Sequence, residues 1–314
     1  VKAINNFKGS KVKYICEKNK KKRNYLEKKF PTIKIIKDTE AIFNDKKINL
    51  VSIASFDNYH YPQIIKCIKK NKNIIAEKPI CLNKKQLKKI YLELKRNRKV
   101  KMITNLVLRS NGLFKKFKEK IDLKELFYIE ADYIWGRKQK LFEWRSKIKD
   151  YSIMLGAAIH MIDIVMWLTK LKPISVTSFG SSKITKKTNF KKNNLIVSIF
   201  KFPKDIIVKI SANAGALYDH FHEIKIFQKN STLVNSRLGS YSYDSYNKNL
   251  MKKFKNSLYP DKKNRKKIIQ NFIKEILLKK TASITLKEQI DLMSVCLAAD
   301  DAFKKKKEVV IKYL

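Results

Sequence analysis

Apolar and polar positions change rhythm once along this chain. In the first third, short apolar runs alternate with amphipathic stretches. Helical patterns over residues 1–8 and 19–30 flank an alternating run, Lys11–Cys16, that turns polar at Glu17–Lys22. A strand-like run over Asn49–Ser55 is followed by a helix from about Tyr61 to Lys70 and a third run, Asn73–Ala76. A helix over Lys84–Asn97 and a strand over Val100–Leu106 extend the series. Strands alternating with helices of about 10–15 residues predict a parallel, doubly wound sheet with both faces covered. After Arg109 the pattern becomes strand-rich: Leu126–Trp135, Ile174–Phe179, Leu195–Phe202, Ile206–Ala212 and His222–Gln228, consecutive runs being able to pair as hairpins. Three substantial helices are predicted there, Gly156–Thr169, Arg265–Lys279 and Leu286–Lys304. This half therefore reads as α+β, an open, mainly antiparallel sheet with helices on one face. The change of rhythm puts a domain boundary near Asn105.

Composition narrows the class. At 314 residues the chain exceeds one comfortable core, and 44% hydrophobic content excludes wholesale disorder. The longest apolar stretch, Ile153–Leu168, is broken by His160 and Asp163 and is shorter than the roughly 20 residues of a membrane span, so a buried helix and no membrane partner are expected. No secretory leader pattern stands at the front, and Cys16, Cys67, Cys81 and Cys296 lack the Cys-x-x-Cys spacing of zinc or disulfide frameworks, so a cytoplasmic location is expected. The net charge of +45 would at first sight advertise nucleic acid. Lysine, however, is spread along the whole chain with abundant Asn and Ile, the trio favoured by AT-rich codons. No recognition motif accompanies it, so no specific nucleic-acid partner is expected.

In doubly wound sheets, ligands sit outside the carboxyl ends of the strands, which directs attention to four places. Glu17 ends a strand, where a carboxylate suits ribose hydroxyls and repels the extra phosphate of NADP; it also reads as a solvated loop acid. Ser55-Phe56-Asp-Asn-Tyr-His60 ends the next strand and is a suitable edge for a cofactor, or simply a packed loop. Glu77-Lys78-Pro79 follows Asn73–Ala76, and the proline holds Lys78 extended at the strand end. In Gly156–Trp167, helical spacing puts His160, Asp163, Ile164 and Trp167 on one face. A helix starting near Gly156 would set His160 by its positive end and keep the imidazole neutral; the blander alternative is a core histidine bonded to Asp163.

Taken in order, these segments resemble the Gfo/Idh/MocA oxidoreductase family over essentially the full chain. Leu50–His60 is similar to that family's strand ending in a Thr-Pro-x-x-x-His loop, with Ser55 and Phe56 in place of Thr-Pro. Asn73–Pro79 is similar to its Glu-Lys-Pro strand, Asn105–Arg109 to its arginine segment, and His160–Asp163 with Trp167-Leu168 to its histidine helix. The resemblance implies a Rossmann-like dinucleotide-binding domain over 1–104. Over 105–314 it implies a domain for substrate binding, catalysis and oligomerisation, with the C-terminal helix packing back toward the first. It also implies hydride transfer between NAD(H) and a hydroxyl or ketone of a sugar, nucleotide sugar or cyclitol, NADP being the lesser alternative, in a homodimer or homotetramer. Lys78 would bond the reacting oxygen and His160 would move the proton. Glu17, Ser55, Phe56, His60, Glu77 and Lys78 would line the cofactor. Lys78, Arg109, Trp144, Arg145, Asp163, His160, Tyr218 and His220 would line the substrate.

Two departures stand out. Many members carry an aspartate four residues before the histidine, and here that position is Gly156, which deprives Lys78 of its usual carboxylate. The family's glycine-rich pyrophosphate loop would directly precede Val1, so the chain is expected to be a fragment without the first strand and turn, binding NAD poorly as it stands. The competing readings are a homologue that binds cofactor or sugar without turnover and a basic nucleic-acid-binding protein. His220 and His222, with Glu223, have acceptable zinc spacing but no third ligand in sequence, so no metal is expected. Tyr259–Lys263 is a further basic loop suited to a diphosphate.

Overall fold

A computed structural model describes residues 1–244, 251–254, 264–280 and 282–314. From the amino end the chain runs α1 (Lys2–Asn5), β1 (Tyr14–Cys16), α2 (Lys20–Lys29), β2 (Lys34–Ile36) and α3 (Glu40–Asn44). It continues through β3 (Leu50–Ile53), α4 (Asp57–Lys69), β4 (Asn73–Ala76), α5 (Lys84–Arg96) and β5 (Met102–Thr104). β1 and β2 pair in parallel, and β3, β4 and β5 form a parallel three-stranded sheet in that order. Ile74, Ile75 and Ala76 of β4 are all buried, the continuous apolar run of a strand covered on both faces. α5 starts where the Asn83 side chain accepts the Gln86 N–H, and it buries Leu87, Ile90 and Leu94 along one face.

The amino-terminal expectations need three corrections. The opening helix has four residues rather than eight, with no buried side chain. β2 and α3 fill the polar stretch after α2, which carries too few apolar positions to announce them. α4 begins at Asp57, four residues before Tyr61, and continues through Pro62 at the loss of one helical donor.

Beyond β5 come α6 (Gly112–Lys120), β6 (Leu126–Ile134), α7 (Gln139–Phe142), a π-helical turn (Met154–Ala158) and α8 (Ile159–Thr169). Then follow β7 (Ser175–Ser181), β8 (Leu195–Lys201), β9 (Ile207–Asn213), β10 (Phe221–Gln228), β11 (Ser231–Ser236), β12 (Gly239–Tyr243) and β13 (Lys252–Lys253). α9 (Arg265–Leu277), α10 (Leu286–Lys305) and β14 (Val309–Val310) close the chain. Among the described residues, nine strands form one sheet in the order β13-β12-β11-β10-β6-β9-β8-β7-β14. All neighbours are antiparallel except β6 and β9. β6 does not form a hairpin with β7, as adjacency suggests; it sits between β10 and β9, so its connection to β7 must cross over.

Alternation along the strands sorts the faces. Ile129, Ala131 and Tyr133 of β6, Ile196 and Phe200 of β8 and Ile224 and Ile226 of β10 turn inward against α8 and α10. The other face carries Glu130, Asp132, Lys209 and Lys225, joined as Lys209–Asp132 and Lys225–Glu130 ion pairs. α10, opened by a Thr285/Glu288 capping box, packs on β7 and α8 and also on α5 and β5, tying the two halves together. No helix among the described residues is long and apolar enough to cross a membrane.

Candidate active site

The carboxyl ends of β3 and β4 are fastened to each other by a histidine. His60, buried in the first turns of α4, places Nδ1 2.7 Å from the Pro79 carbonyl and Nε2 3.0 Å from the Ser55 carbonyl. Both ring nitrogens face backbone carbonyls, of which a neutral imidazole with its single N–H can bond one, so His60 joins these two loops in the place where the sequence reading has it edging a cofactor. Ser55 Oγ donates to Gln63 Oε1 and Glu77 Oε1 accepts from Asn105 Nδ2, so these two side chains also serve the loops first. Phe56 is 47% exposed and stacks on Trp144 with ring centroids 4.6 Å apart. The Arg145 guanidinium then lies 4.2 Å from the Trp144 ring and 5.0 Å from that of Trp135.

Lys78 projects from this mouth toward the helix on the other side. Its Nζ donates to the Gly156 carbonyl at 2.5 Å, which leaves two ammonium protons. Burial pushes its pKa down, opposed by the charges of Asp57 and Glu77. Gly156 lies inside the π-helical turn, where the carbonyl ladder is offset. Helical turns therefore begin before Gly156, and His160 stands well inside them rather than at a free positive end. Its pKa nonetheless falls well below the usual 6.5, because the ring is buried and the Lys78 cation is near, with His222 and His220 adding to the effect. Neither His160 ring nitrogen makes a hydrogen bond among the described residues, and Asp163 is bonded to Arg109 instead.

His160 belongs to a cluster of rings. Tyr133 of β6 stacks on it at 5.8 Å, and His222 meets His160 at 5.9 Å and His220 at 4.9 Å. Sequence spacing anticipated that His220 and His222 share a side; Tyr133, two residues before Trp135 on an inward-facing strand, was missed. Also missed was Tyr151. A Cβ built on Gly156 would lie 2.2 Å from the Tyr151 hydroxyl, so that phenol occupies the volume a side chain at 156 would need. The hydroxyl is buried and makes no hydrogen bond among the described residues, with the Arg145 guanidinium the nearest cation to act on it. Asp57, the first residue of α4, is also buried, and burial pushes its carboxyl pKa up.

Other expected site residues are placed elsewhere. Arg109 and Asp163 are spent on each other: Arg109 Nε and Nη2 reach Asp163 Oδ1 at 3.0 and 2.7 Å, and Nη1 reaches Glu288 Oε1 at 2.6 Å. They line a separate cleft of about 400 Å³ with Lys118 and Trp167. Where the sequence reading sets both residues at the substrate, the structure has them engaged with each other, a buried guanidinium fork answered by a carboxylate. Tyr218 is exposed, capped by the Arg237 guanidinium at 4.8 Å. Glu17 Oε1 accepts from the Asn19 N–H, and its other oxygen makes no protein hydrogen bond. Tyr259–Lys263 lies outside the described residues, and among those described no cluster of His, Cys, Asp or Glu is arranged to hold a metal ion.

Comparison with known proteins gives a consistent answer. The family model for the NAD-binding Rossmann fold of the Gfo/Idh/MocA oxidoreductases matches residues 1–105, and the model for that family's C-terminal domain matches residues 114–234. Myo-inositol 2-dehydrogenase of Thermotoga maritima is 27% identical over 203 residues, 64% of this chain, and the match spans 60% of that relative's length. The crystal structure of myo-inositol 2-dehydrogenase from Lactobacillus plantarum superposes with a TM-score of 0.82 at 14% identity, covering 99% of this chain and 94% of that one. Scyllo-inositol dehydrogenase from Lactobacillus casei, solved with bound NAD(H) and scyllo-inositol, gives a TM-score of 0.79 at 16% identity, covering 97% of this chain and 92% of that one. At such identities the likeness to the two solved structures establishes the fold, a Rossmann-like domain joined to a mainly antiparallel one.

Proposed function

The chain belongs to the Gfo/Idh/MocA oxidoreductase family, and from that premise we propose that it is an NAD(H)-dependent dehydrogenase acting on a CH–OH group of a cyclitol, sugar or nucleotide sugar. The observation that carries this reading is the convergence of Lys78, from the end of β4, and His160, from α8, each with unused hydrogen-bonding capacity. NAD⁺, when bound, supplies the hydride acceptor. Lys78 uses its two remaining protons to hold the substrate's reacting oxygen and favour its deprotonated form. His160, neutral through burial and the nearby cation, accepts the hydroxyl proton, and in the reverse reduction returns it. Trp144 and Trp135, with Arg145 between them, offer flat faces and forked donors to a polyhydroxylated ring, and His220 lies within reach of the same cluster.

The donor set fits the dinucleotide. Glu17 keeps one carboxylate oxygen for ribose hydroxyls and favours NAD over NADP, and the half-exposed Phe56 edges the cofactor side of the mouth. Residues 1–104 form the cofactor domain and 105–314 the substrate domain of a cytoplasmic homo-oligomer. The inositol dehydrogenases among the similar proteins make myo-inositol and scyllo-inositol the first substrates to try. Gly156 favours one second reading, a homologue that binds cofactor without turnover.

The test is NAD⁺ reduction followed at 340 nm across a panel of cyclitols, sugars and nucleotide sugars. Lys78→Ala and His160→Ala are each expected to lower kcat about 10²–10⁴-fold. Full turnover in both variants would overturn the mechanism, and NADH binding without turnover on any substrate would favour the second reading.

A further inference from the structure

We infer that Ser152 and Asp300 form a positioning pair for Lys78, holding the π-helical turn so that the Gly156 carbonyl meets the lysine's ammonium. The inference deepens the catalytic reading and rests on Lys78 acting at the reacting oxygen. Position 156 carries no carboxylate, and Lys78 Nζ donates instead to the backbone carbonyl of that residue at 2.5 Å. A carbonyl lies in a rigid peptide plane and goes where its turn goes. Whatever fixes the turn therefore fixes the acceptor of the lysine.

One serine ties the turn at its start. The Ser152 carbonyl accepts the Gly156 N–H at 2.8 Å, and the Ser152 hydroxyl oxygen accepts the N–H groups of Met154 and Leu155 at 3.1 and 3.3 Å. Three amides of the turn thus end on a single residue, at a helix start where backbone donors otherwise lack partners. The same hydroxyl donates to Asp300 Oδ1 of α10 at 2.6 Å. A hydroxyl has one proton, and giving it to the carboxylate leaves both lone pairs for the two amides. Asp300 in this way sets the direction of every hydrogen bond the serine side chain makes.

The surroundings hold the arrangement in place. Met154, Leu155, Ala157 and Ala158 are buried, α10 packs on the turn, and the Tyr151 hydroxyl fills the space beside Gly156. Asp300 is also buried, which pushes its carboxyl up to about 6, while the Ser152 hydroxyl pulls the other way. Lys304 and Asp301, both on its own helix, act on it less. At neutral pH it is an anion and can only accept. From Asp300 to Ser152, to the amides of the turn, to the Gly156 carbonyl and on to Lys78, each link is a hydrogen bond or a stretch of one helical turn.

The experiment reads Lys78 in the protein alone and then in turnover. Trace labelling with acetic anhydride at fixed pH, quantified by mass spectrometry on the Lys78 peptide and scaled to exposed lysines, measures how firmly the ammonium is held. Ser152→Ala is expected to raise Lys78 labelling about fivefold, the worth of one hydrogen bond. Ser152→Thr, which keeps the hydroxyl, is expected to return most of that change. Asp300→Asn, which keeps size and removes charge, is expected to act in the same direction, and the double variant Ser152→Ala/Asp300→Asn to go no further than Ser152→Ala, since both work through one hydroxyl. In turnover, Ser152→Ala is expected to lower kcat about tenfold while KM for NAD⁺ stays within about twofold. Unchanged Lys78 labelling in folded Ser152→Ala, or equal labelling in the Ala and Thr variants, overturns the positioning pair and leaves the catalytic reading intact. If Ser152→Ala does not fold, unchanged labelling in Asp300→Asn overturns it in the same way. Turnover surviving in Lys78→Ala overturns the catalytic reading whatever the labelling shows.

Discussion

Three of the chain's four histidines meet around one tyrosine, and their burial decides their charge. His220, the least enclosed, is pushed down to about 4 from the usual 6.5, chiefly by burial and then by Arg137. The unfolded chain therefore binds a proton at His220 below pH 6.5 that the folded chain refuses. Stability from this residue is complete above 6.5 and is lost as pH falls toward 4. Relative to wild type, His220→Gln should gain thermal stability as the pH is lowered from 7 to 5. A Tm difference that stays constant over that interval would show that His220 is not held neutral. The same depression at His160 lets it serve as a base below the ordinary imidazole range. At this scale sequence reading singled out Lys78 and His160 by their motifs and overlooked what only packing creates. Nothing in the string marks Tyr151, because its importance comes from the volume it occupies beside Gly156.

Between elements, a single arginine does the joining. Arg109, in the turn after β5, forks onto Asp163 of α8 and reaches Glu288, which also caps α10, so one guanidinium couples two helices to the end of the first sheet. Removing Asp163 leaves the guanidinium buried with a single, half-exposed partner, and Asp163→Ala is expected to cost about 3–5 kcal/mol, measured by urea unfolding. A loss under about 1 kcal/mol would place the pair among ordinary surface bridges. The strands and helices that build the mouth were legible because β4 holds the apolar run Ile74–Ala76 just before Glu-Lys-Pro and α5 has a clean apolar face. α6, β11 and β12 were not, since Gly112–Lys120 is short and lysine-rich and Ser231–Tyr243 alternates small polar residues with few apolar ones. The order of the large sheet was also illegible, because placing β6 between β10 and β9 depends on contacts made far away in sequence.

For the molecule as a whole, the outer face of the nine-stranded sheet is unevenly polar. Ion pairs occupy one part, while Phe179 of β7 and Ile199 of β8 are exposed where those strands pair. This open patch supports assembly through the sheet, and sedimentation of wild type is expected to give a dimer or tetramer that Phe179→Glu weakens. A monomeric wild type at micromolar concentration would remove that expectation. The blocked volume beside Gly156 has a different consequence, for descent rather than for chemistry. Because a Cβ there meets the Tyr151 hydroxyl at 2.2 Å, no lineage can acquire a side chain at 156 without the tyrosine giving way. The two positions are epistatic, and their order of change is constrained. While Tyr151 stands, drift at 156 is closed in one direction, as by a ratchet.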